Sequence, residues 1–241
     1  MVYYIDEHKL YKIMDCWALI PARGGSKGIP RKNIKHMNNI PLICYTIRQA
    51  KQSKHIQRVI VSTDDEEIAN VALSEGAEVP FIRPEAISRD RSTDLECFKH
   101  AIQCCGSPTW WVHLRCTYPT RRTEDIDLAY EMVKNSSFTS LRSVVELDFP
   151  IQKTYYVQGD KCIPTFSSYN GINEPFNGPR QQLPKAYIHN GCIDIVSSDT
   201  IMTHNSMSGS NICAFKMHKN ATQDIDTLEQ WNEVEKYMSK K

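Results

Sequence analysis

No stretch of this chain is apolar for long enough to cross a membrane. The longest such run, residues 17–22, falls far short of the roughly 18 residues that a spanning helix needs, and residues 1–15 alternate charged with apolar side chains instead of building the apolar centre of an export signal. Charge of one sign is also lacking: 29 Lys and Arg face 28 Asp and Glu, a net charge of +1, so no global field exists to hold a nucleic acid or an anionic membrane. Any anion site must be local. The nine cysteines form an odd set without a Cys-x-x-Cys pair, which excludes a fully paired disulfide framework and the zinc-ribbon spacing. These absences predict a soluble, cytoplasmic protein with reduced, mostly buried thiols and with neither membrane nor nucleic acid as partner. What is present is an ordinary globular balance, 41% hydrophobic and 24% charged over 241 residues. That supports one large α/β domain with a single core rather than two average domains.

From Cys16 onward, short apolar runs alternate with segments of helical period, the pattern of βα units around a largely parallel sheet. The spacing predicts strands over 17–21, 58–62, 110–114, 138–145, 187–196 and 212–216, with a further apolar run at 79–82 that leads into a polar loop. Helices are predicted from Pro41, where Ile43, Ile47 and Ala50 recur at helical spacing, from Asp64 and Asp65 to just before Gly76, and over about 94–104 and 124–134. Leu228, Trp231, Val234 and Met238 mark a final amphipathic helix. Between 148 and 185 the rhythm fails, because Pro150, Pro164, Pro175, Pro179 and Pro184 are interspersed with Gly159, Gly171 and Gly178. Such a segment cannot be a central βα unit and reads as an inserted excursion.

Directly after the first predicted strand stands IPARGGSKGIPRKN, residues 20–33. Loops leaving the carboxyl ends of strands bind ligands in open α/β sheets. Gly24, Gly25 and Gly28 let the backbone approach an anion, while Arg23, Lys27, Arg31 and Lys32 bring charge with no acid among them. The spacing matches neither a Walker loop nor a dinucleotide fingerprint, and the same composition would also make a solvated basic turn. Before the last helix stands QDIDT, in which Asp224 and Asp226 lie two residues apart. In extended chain both carboxylates project to one side and can converge on a hard cation such as Mg²⁺, or they can cap the helix that follows. A basic glycine loop and a carboxylate pair on one sheet are together what nucleotidyl transfer from a triphosphate requires. A third group, Lys153 with Arg180 and Gln181, places cations on the irregular excursion, suited to an acidic substrate or simply to surface solvation.

IPARGGSKGIPRKN, VSTDDEEIA, LRCTYPTRRTEDID, GPRQQLPKAYIHNG and QDIDT, in this order over about residues 16–240, resemble the motifs of the acylneuraminate cytidylyltransferases, the CMP-sialic acid synthetases. The resemblance implies a Rossmann-like nucleotidyltransferase fold: a mainly parallel sheet with helices on both faces, spanning 16–241 after an extension over 1–15, with an inserted dimerisation segment at about 148–186. It further implies CTP under the glycine-rich loop, an acidic nine-carbon sugar as acceptor, Mg²⁺ as cofactor and a homodimer. Ala22, Arg23, Gly24, Gly25, Ser26, Lys27, Lys32 and Asn33 fall on nucleotide-binding positions. Arg115, Thr117, Lys153, Arg180, Gln181 and Asn190 fall on acceptor positions, and Asp224 and Asp226 on metal positions. Arg23, Lys27 and Asp226 are the expected catalytic residues.

The sequence departs from the sialic-acid pattern at two places. Arg115 stands where a glutamine is familiar, and Asp194 replaces the tyrosine that often follows the Asn-Gly pair. Both change charge and shape at the acceptor pocket. The implied reaction is therefore CMP transfer to a sialic-type acid, with legionaminic, pseudaminic or 3-deoxy-octulosonic acid as alternative acceptors. The alternative from another class is a non-catalytic nucleotide or nucleic-acid binding protein built on the same basic loop.

Overall fold

Alternation of side chains along a handful of short strands dictates the layering. The computed structural model describes residues 3–6, 9–12, 15–218 and 223–240. Its central sheet has six strands: β1 (Cys16–Pro21), β2 (Arg58–Ser62), β3 (Trp110–His113), β4 (Ser140–Glu146), and, after an excursion carrying the short strands β5 (Tyr155–Gln158) and β6 (Lys161–Pro164), β7 (Tyr187–Ser197) and β8 (Ile212–Met217). The order is β8-β4-β7-β3-β1-β2. β1 runs parallel to β2 and β3, and β8 parallel to β4, whereas β7 is antiparallel to both of its neighbours. The sheet is thus mixed and mainly parallel.

On one face Ala18, Ile20, Val59, Val61 and Val112 pack with buried residues of α1 (Leu42–Gln52), α2 (Glu66–Ser74) and α4 (Thr123–Val133). On the other, Leu19, Ile60, Trp111 and Val196 meet Cys97, Phe98, Ala101 and Ile102 of α3 (Asp94–Cys105) and Ile201 of α5 (Ser198–Met202). Both faces are covered, as a predominantly parallel sheet requires. The last helix, α6 (Leu228–Met238), buries Trp231 and Val234 against Ile29, Met37, Leu42 and Ile225, fastening the end of the chain to the loop that follows β1.

Helix ends follow their local chemistry. Asp65 caps α2 by accepting from the Ile68 N–H, and Thr93 with Glu96 and Thr227 with Gln230 form capping boxes on α3 and α6. The run at 79–82 forms no strand. Glu78 makes a single parallel bridge to Ile60, and Pro80 and Pro84 then withhold the donors that a ladder needs. The excursion between β4 and β7 holds the β5–β6 hairpin, the short pair Ser168–Tyr169 with Ile172–Asn173, and single 3₁₀ turns at Ile151–Lys153 and Arg180–Gln182. Phe149, Tyr156 and Val157 are exposed there by 51%, 65% and 70%, so the excursion has little core of its own. Ahead of β1, residues 3–6 pair antiparallel with 9–12.

Candidate active site

Parallel pairing of β1, β2 and β3 delivers the loops after all three strands to one edge of the sheet. β7 reaches the same edge from the other direction: Asp194 pairs with His113 at the end of β3, so residues preceding Asp194 lie beyond it. Pairing of β7 with β4 slips between His189 and Asp194, where five steps along β7 match two along β4, from Val144 to Arg142. Gly191 sits in this bulge at φ 71°, and a Cβ there would meet Arg115 Nη1 at 2.8 Å. Only glycine fits that backbone beside that guanidinium.

The loops enclose two adjoining cavities that share Pro21, Arg23 and Asn33. The first, of about 370 Å³, is lined by Ser26, Lys27, Gly28, Lys32 and Asp226. The second, of about 310 Å³, is lined by Arg83, residues of the loop before α3, Asp94, His113, Arg115 and Thr117. The glycine loop is held from behind. The Ala22 N–H donates to Ser62 O at 2.9 Å, the Gly24 N–H to Asp64 Oδ1 at 3.0 Å, and Asn33 Nδ2 to Arg23 O at 3.0 Å. Arg31 turns back in left-handed conformation to pair with Asp65 and Glu67, so it serves the scaffold. Gly25 has open space around it.

Lys32, though nearly buried, bonds through Nζ to Ile225 O at 2.7 Å and Asp226 Oδ1 at 3.0 Å. This joins the glycine loop to QDIDT, the more tightly because a Cβ on Gly28 would lie 2.4 Å from Asp226 O. The Ile225 N–H donates to Thr117 O at 3.1 Å, docking QDIDT onto the loop after β3 as well. The two aspartates then part. Asp226 is exposed into the first cavity, whereas Asp224 lies beside Tyr118, whose phenol is pushed up by burial and by the Asp224 carboxylate. Asp224 Oδ1 is buried without a hydrogen-bond partner among the described residues. Thr227, not either aspartate, caps α6.

At the second cavity, Arg115 Nη1 donates to Gly191 O at 2.8 Å and to Asp194 Oδ2 at 3.0 Å, and Nη2 donates to Asp94 Oδ2 at 3.0 Å. The two departures from the sialic-acid pattern are therefore bonded to each other. Asp194 also takes His189 Nε2 at 2.7 Å. Burial alone would raise its carboxyl, but the His189 hydrogen bond and the neighbouring cations hold it down at about 2. His113 is pushed down to about 4 by burial and by the Arg115 charge, and its Nε2 has no partner among the described residues. Asn190 stands just behind this wall, its carbonyl accepting from Tyr118 and its Oδ1 from Ser143 Oγ at 2.6 Å.

Lys153, Arg180 and Gln181 lie elsewhere. Lys153 Nζ ties the excursion together through Phe176 O at 2.9 Å and Gly178 O at 2.7 Å. Arg180 and Gln181 line a separate groove with Phe149, Pro150 and Leu183. Sequence reasoning passed over Arg83, Asp90, Asp94 and His113. Arg83 is only 6% exposed and bonds Ser88 Oγ at 3.1 Å and Cys97 Sγ at 3.4 Å; a lone arginine between apolar residues and proline was its one signal. His113 falls inside the predicted strand 110–114, where nothing in the sequence sets it apart from a structural residue. Among the described residues no cluster of three or more metal-ligating side chains occurs, and no helix is long and apolar enough to cross a membrane.

A family model described as Cytidylyltransferase matches residues 17–162. The chain belongs to the cytidylyltransferase family. Pseudaminic acid cytidylyltransferase of Campylobacter jejuni is 32% identical over 88% of this chain and 90% of its own length. N-acylneuraminate cytidylyltransferase of Oncorhynchus mykiss is 33% identical over 89% of this chain and 48% of its own. Among solved structures, CMP:2-keto-3-deoxy-manno-octonic acid synthetase, determined with CTP, superposes with a TM-score of 0.70 over 94% of this chain and 99% of that one, at 17% identity. That likeness carries the nucleotidyltransferase fold. The matched family region runs through the glycine loop and the loops after β2 and β3, and it ends within the excursion.

Proposed function

We propose that this cytidylyltransferase moves CMP from CTP to the anomeric hydroxyl of a nonulosonic, sialic-type acid, with release of pyrophosphate. The observation that carries the reading is the convergence of Arg23, Lys27 and Lys32 with Asp226 on a cavity that adjoins a second one and shares Pro21, Arg23 and Asn33 with it. Attack of the hydroxyl on the α-phosphorus breaks the bond to the β-phosphate and moves negative charge onto the departing pyrophosphate. Arg23 and Lys27, which line that cavity, are read as neutralising this charge as it develops, and such preorganised cations lower the barrier. Gly24, Gly25 and Ser26 keep the backbone close to the phosphates, and Asn33 holds the loop through Arg23 O. Asp226, exposed into the same cavity, is read as assisting removal of the hydroxyl proton. The second cavity, walled by Arg83, Asp94, His113, Arg115 and Thr117, takes the rest of the substrates, with Asn190 fixing its bulged edge.

The donor set fits Mg²⁺. Hard carboxylate oxygens suit it, and Asp224 Oδ1, buried without a hydrogen-bond partner among the described residues, is a liability that a cation would remove. Asp224 and Asp226 would hold the ion, which when bound supplies charge neutralisation on the triphosphate. The excursion, with its exposed Tyr156 and Val157, is read as the contact to a second copy, and Arg180 and Gln181 as residues that meet the acidic sugar in that assembly. Nine free thiols suit a reducing cytoplasm.

Relatives acting on pseudaminic, N-acylneuraminic and legionaminic acids are 32%, 33% and 32% identical, so identity does not rank these three acceptors, and the 3-deoxy-octulosonic acid enzyme, at 17%, supports the fold alone. The Arg115–Asp194 pair favours an acceptor other than N-acylneuraminic acid. Pyrophosphate release measured with CTP, Mg²⁺ and each acid in turn tests the function. Turnover with at least one acid is expected, and binding of CTP without release for any of them would leave only a nucleotide-binding role.

A further inference from the structure

The two cations at the mouth of the glycine loop already hold an anion. Arg23 Nη1 donates to Asp90 Oδ1 at 2.9 Å, and Lys27 Nζ lies 2.5 Å from Asp90 Oδ2, so one carboxylate spans both side chains. Asp90 belongs to the loop leading into α3, which is anchored at each end. Ser88 is held by Arg83 Nε at 3.1 Å and bonds Pro84 O at 2.9 Å, while Thr93 is locked in its capping box. Between these anchors the local bonds among the described residues are the Arg89–Ser92 turn contacts, both 3.0 Å, and an exposed ion pair from Arg89 Nη2 to Glu85 Oε1 at 3.2 Å. Among the described residues the ion pairs of Asp90 are with Arg23 and Lys27. All three side chains remain substantially exposed, at 47%, 33% and 75%. A carboxylate whose two oxygens satisfy two cations occupies them as a phosphate group would.

We infer that Asp90 is an internal anion that occupies the triphosphate cations of the free enzyme and is displaced when a polyphosphate enters. This rests on the glycine loop being the triphosphate cradle. The anchors leave the tip of the loop as the part that moves. Displacement lowers the apparent affinity for polyphosphate by the fraction of molecules in which the cations are free. The same competition acts on the product, so return of Asp90 to Arg23 and Lys27 speeds the departure of pyrophosphate. Solvent-exposed pairs are individually weak, and the effect expected is about three- to tenfold in affinity. It diminishes at high salt, because both the placeholder and the ligand act through screened charge.

The test uses inorganic pyrophosphate as probe and the whole protein, titrated calorimetrically in EDTA so that no metal contributes. Wild type, Asp90→Asn, Asp90→Ala and Lys27→Ala are compared, each checked for native circular dichroism. Both Asp90 variants are expected to bind pyrophosphate about three- to tenfold more tightly than wild type, and Lys27→Ala more weakly. Hydrogen exchange over 89–92 should rise when wild type binds pyrophosphate and stay unchanged in Asp90→Asn. Equal or weaker binding by both Asp90 variants, with Lys27-dependent binding intact, would overturn the inference and leave the cradle standing. Binding that ignores Lys27 would overturn the cradle, and the inference with it.

Discussion

Asp224 and Asp226 stand two residues apart but meet opposite surroundings, one against Tyr118 with a buried oxygen that has no partner among the described residues and the other exposed beside Lys32. Substitution by asparagine keeps their shape and removes one charge. If they hold Mg²⁺, Asp224→Asn and Asp226→Asn should each lose turnover by roughly a hundredfold or more, with partial recovery at high Mg²⁺ or in Mn²⁺. Thermal stability should move little, because the cap of α6 belongs to Thr227. Full activity in both variants would remove the pair from the mechanism. His113 offers a second test at this scale. In the folded protein it protonates only near about 4, against an ordinary value of 6.5. Between those pH values the unfolded chain binds the extra proton, so stability is fully present above 6.5 and falls as the pH drops toward 4. The integrated loss is at most about 3 kcal/mol. Urea unfolding of His113→Gln across this window should show a flatter pH dependence than wild type, and an unchanged slope would place the loss on other groups.

At the scale of elements, the site is made by segments that press on one another. The glycine loop, QDIDT and the loop after β3 are joined by Lys32, by the Ile225–Thr117 bond and by the approach of Asp226 O to Gly28. Gly28→Ala would push its new methyl group against a backbone oxygen that cannot swing aside, so QDIDT must shift. Stability is expected to fall by about 1–3 kcal/mol, and turnover by at least about tenfold from misplacement of Asp226. Gly25→Ala, with open space around it, serves as the comparison for stability. A melting temperature equally lowered in both variants would mean that Gly28 is needed for loop flexibility and not for this contact. The same logic explains why the elements were legible while their joints were not. The motifs announce each loop in turn, but Lys32 and Ile225 are 193 positions apart.

For the whole molecule, the excursion is the part whose sequence and structure agree on an unfinished surface. Its prolines and glycines prevent a central strand, and its hairpin leaves Tyr156 and Val157 to solvent. Tyr156 lies beside Ile163 on one side of the hairpin and Val157 beside Cys162 on the other, and exposed apolar surface of this kind favours burial against a partner. Light scattering at micromolar concentration is expected to give a dimer. Tyr156→Asp with Val157→Lys should give monomers that keep native circular dichroism. A monomeric wild type would remove the second copy from the account of Arg180 and Gln181.

By itself, the sequence determined the βα rhythm, the interruption at 148–185 and the two chemical signatures, because hydrophobic period, proline and clustered charge act locally. It could not decide the antiparallel run of β7, since side-chain alternation is the same in either direction. Nor could it show that Arg115 spends its donors on Asp94 and Asp194, that Lys153 laces the excursion, or that Asp90 closes over Arg23 and Lys27. Each of these depends on which distant carboxylate or carbonyl lies within 3 Å of a cation, and pairing at that range is fixed only when the strands have chosen their neighbours and register.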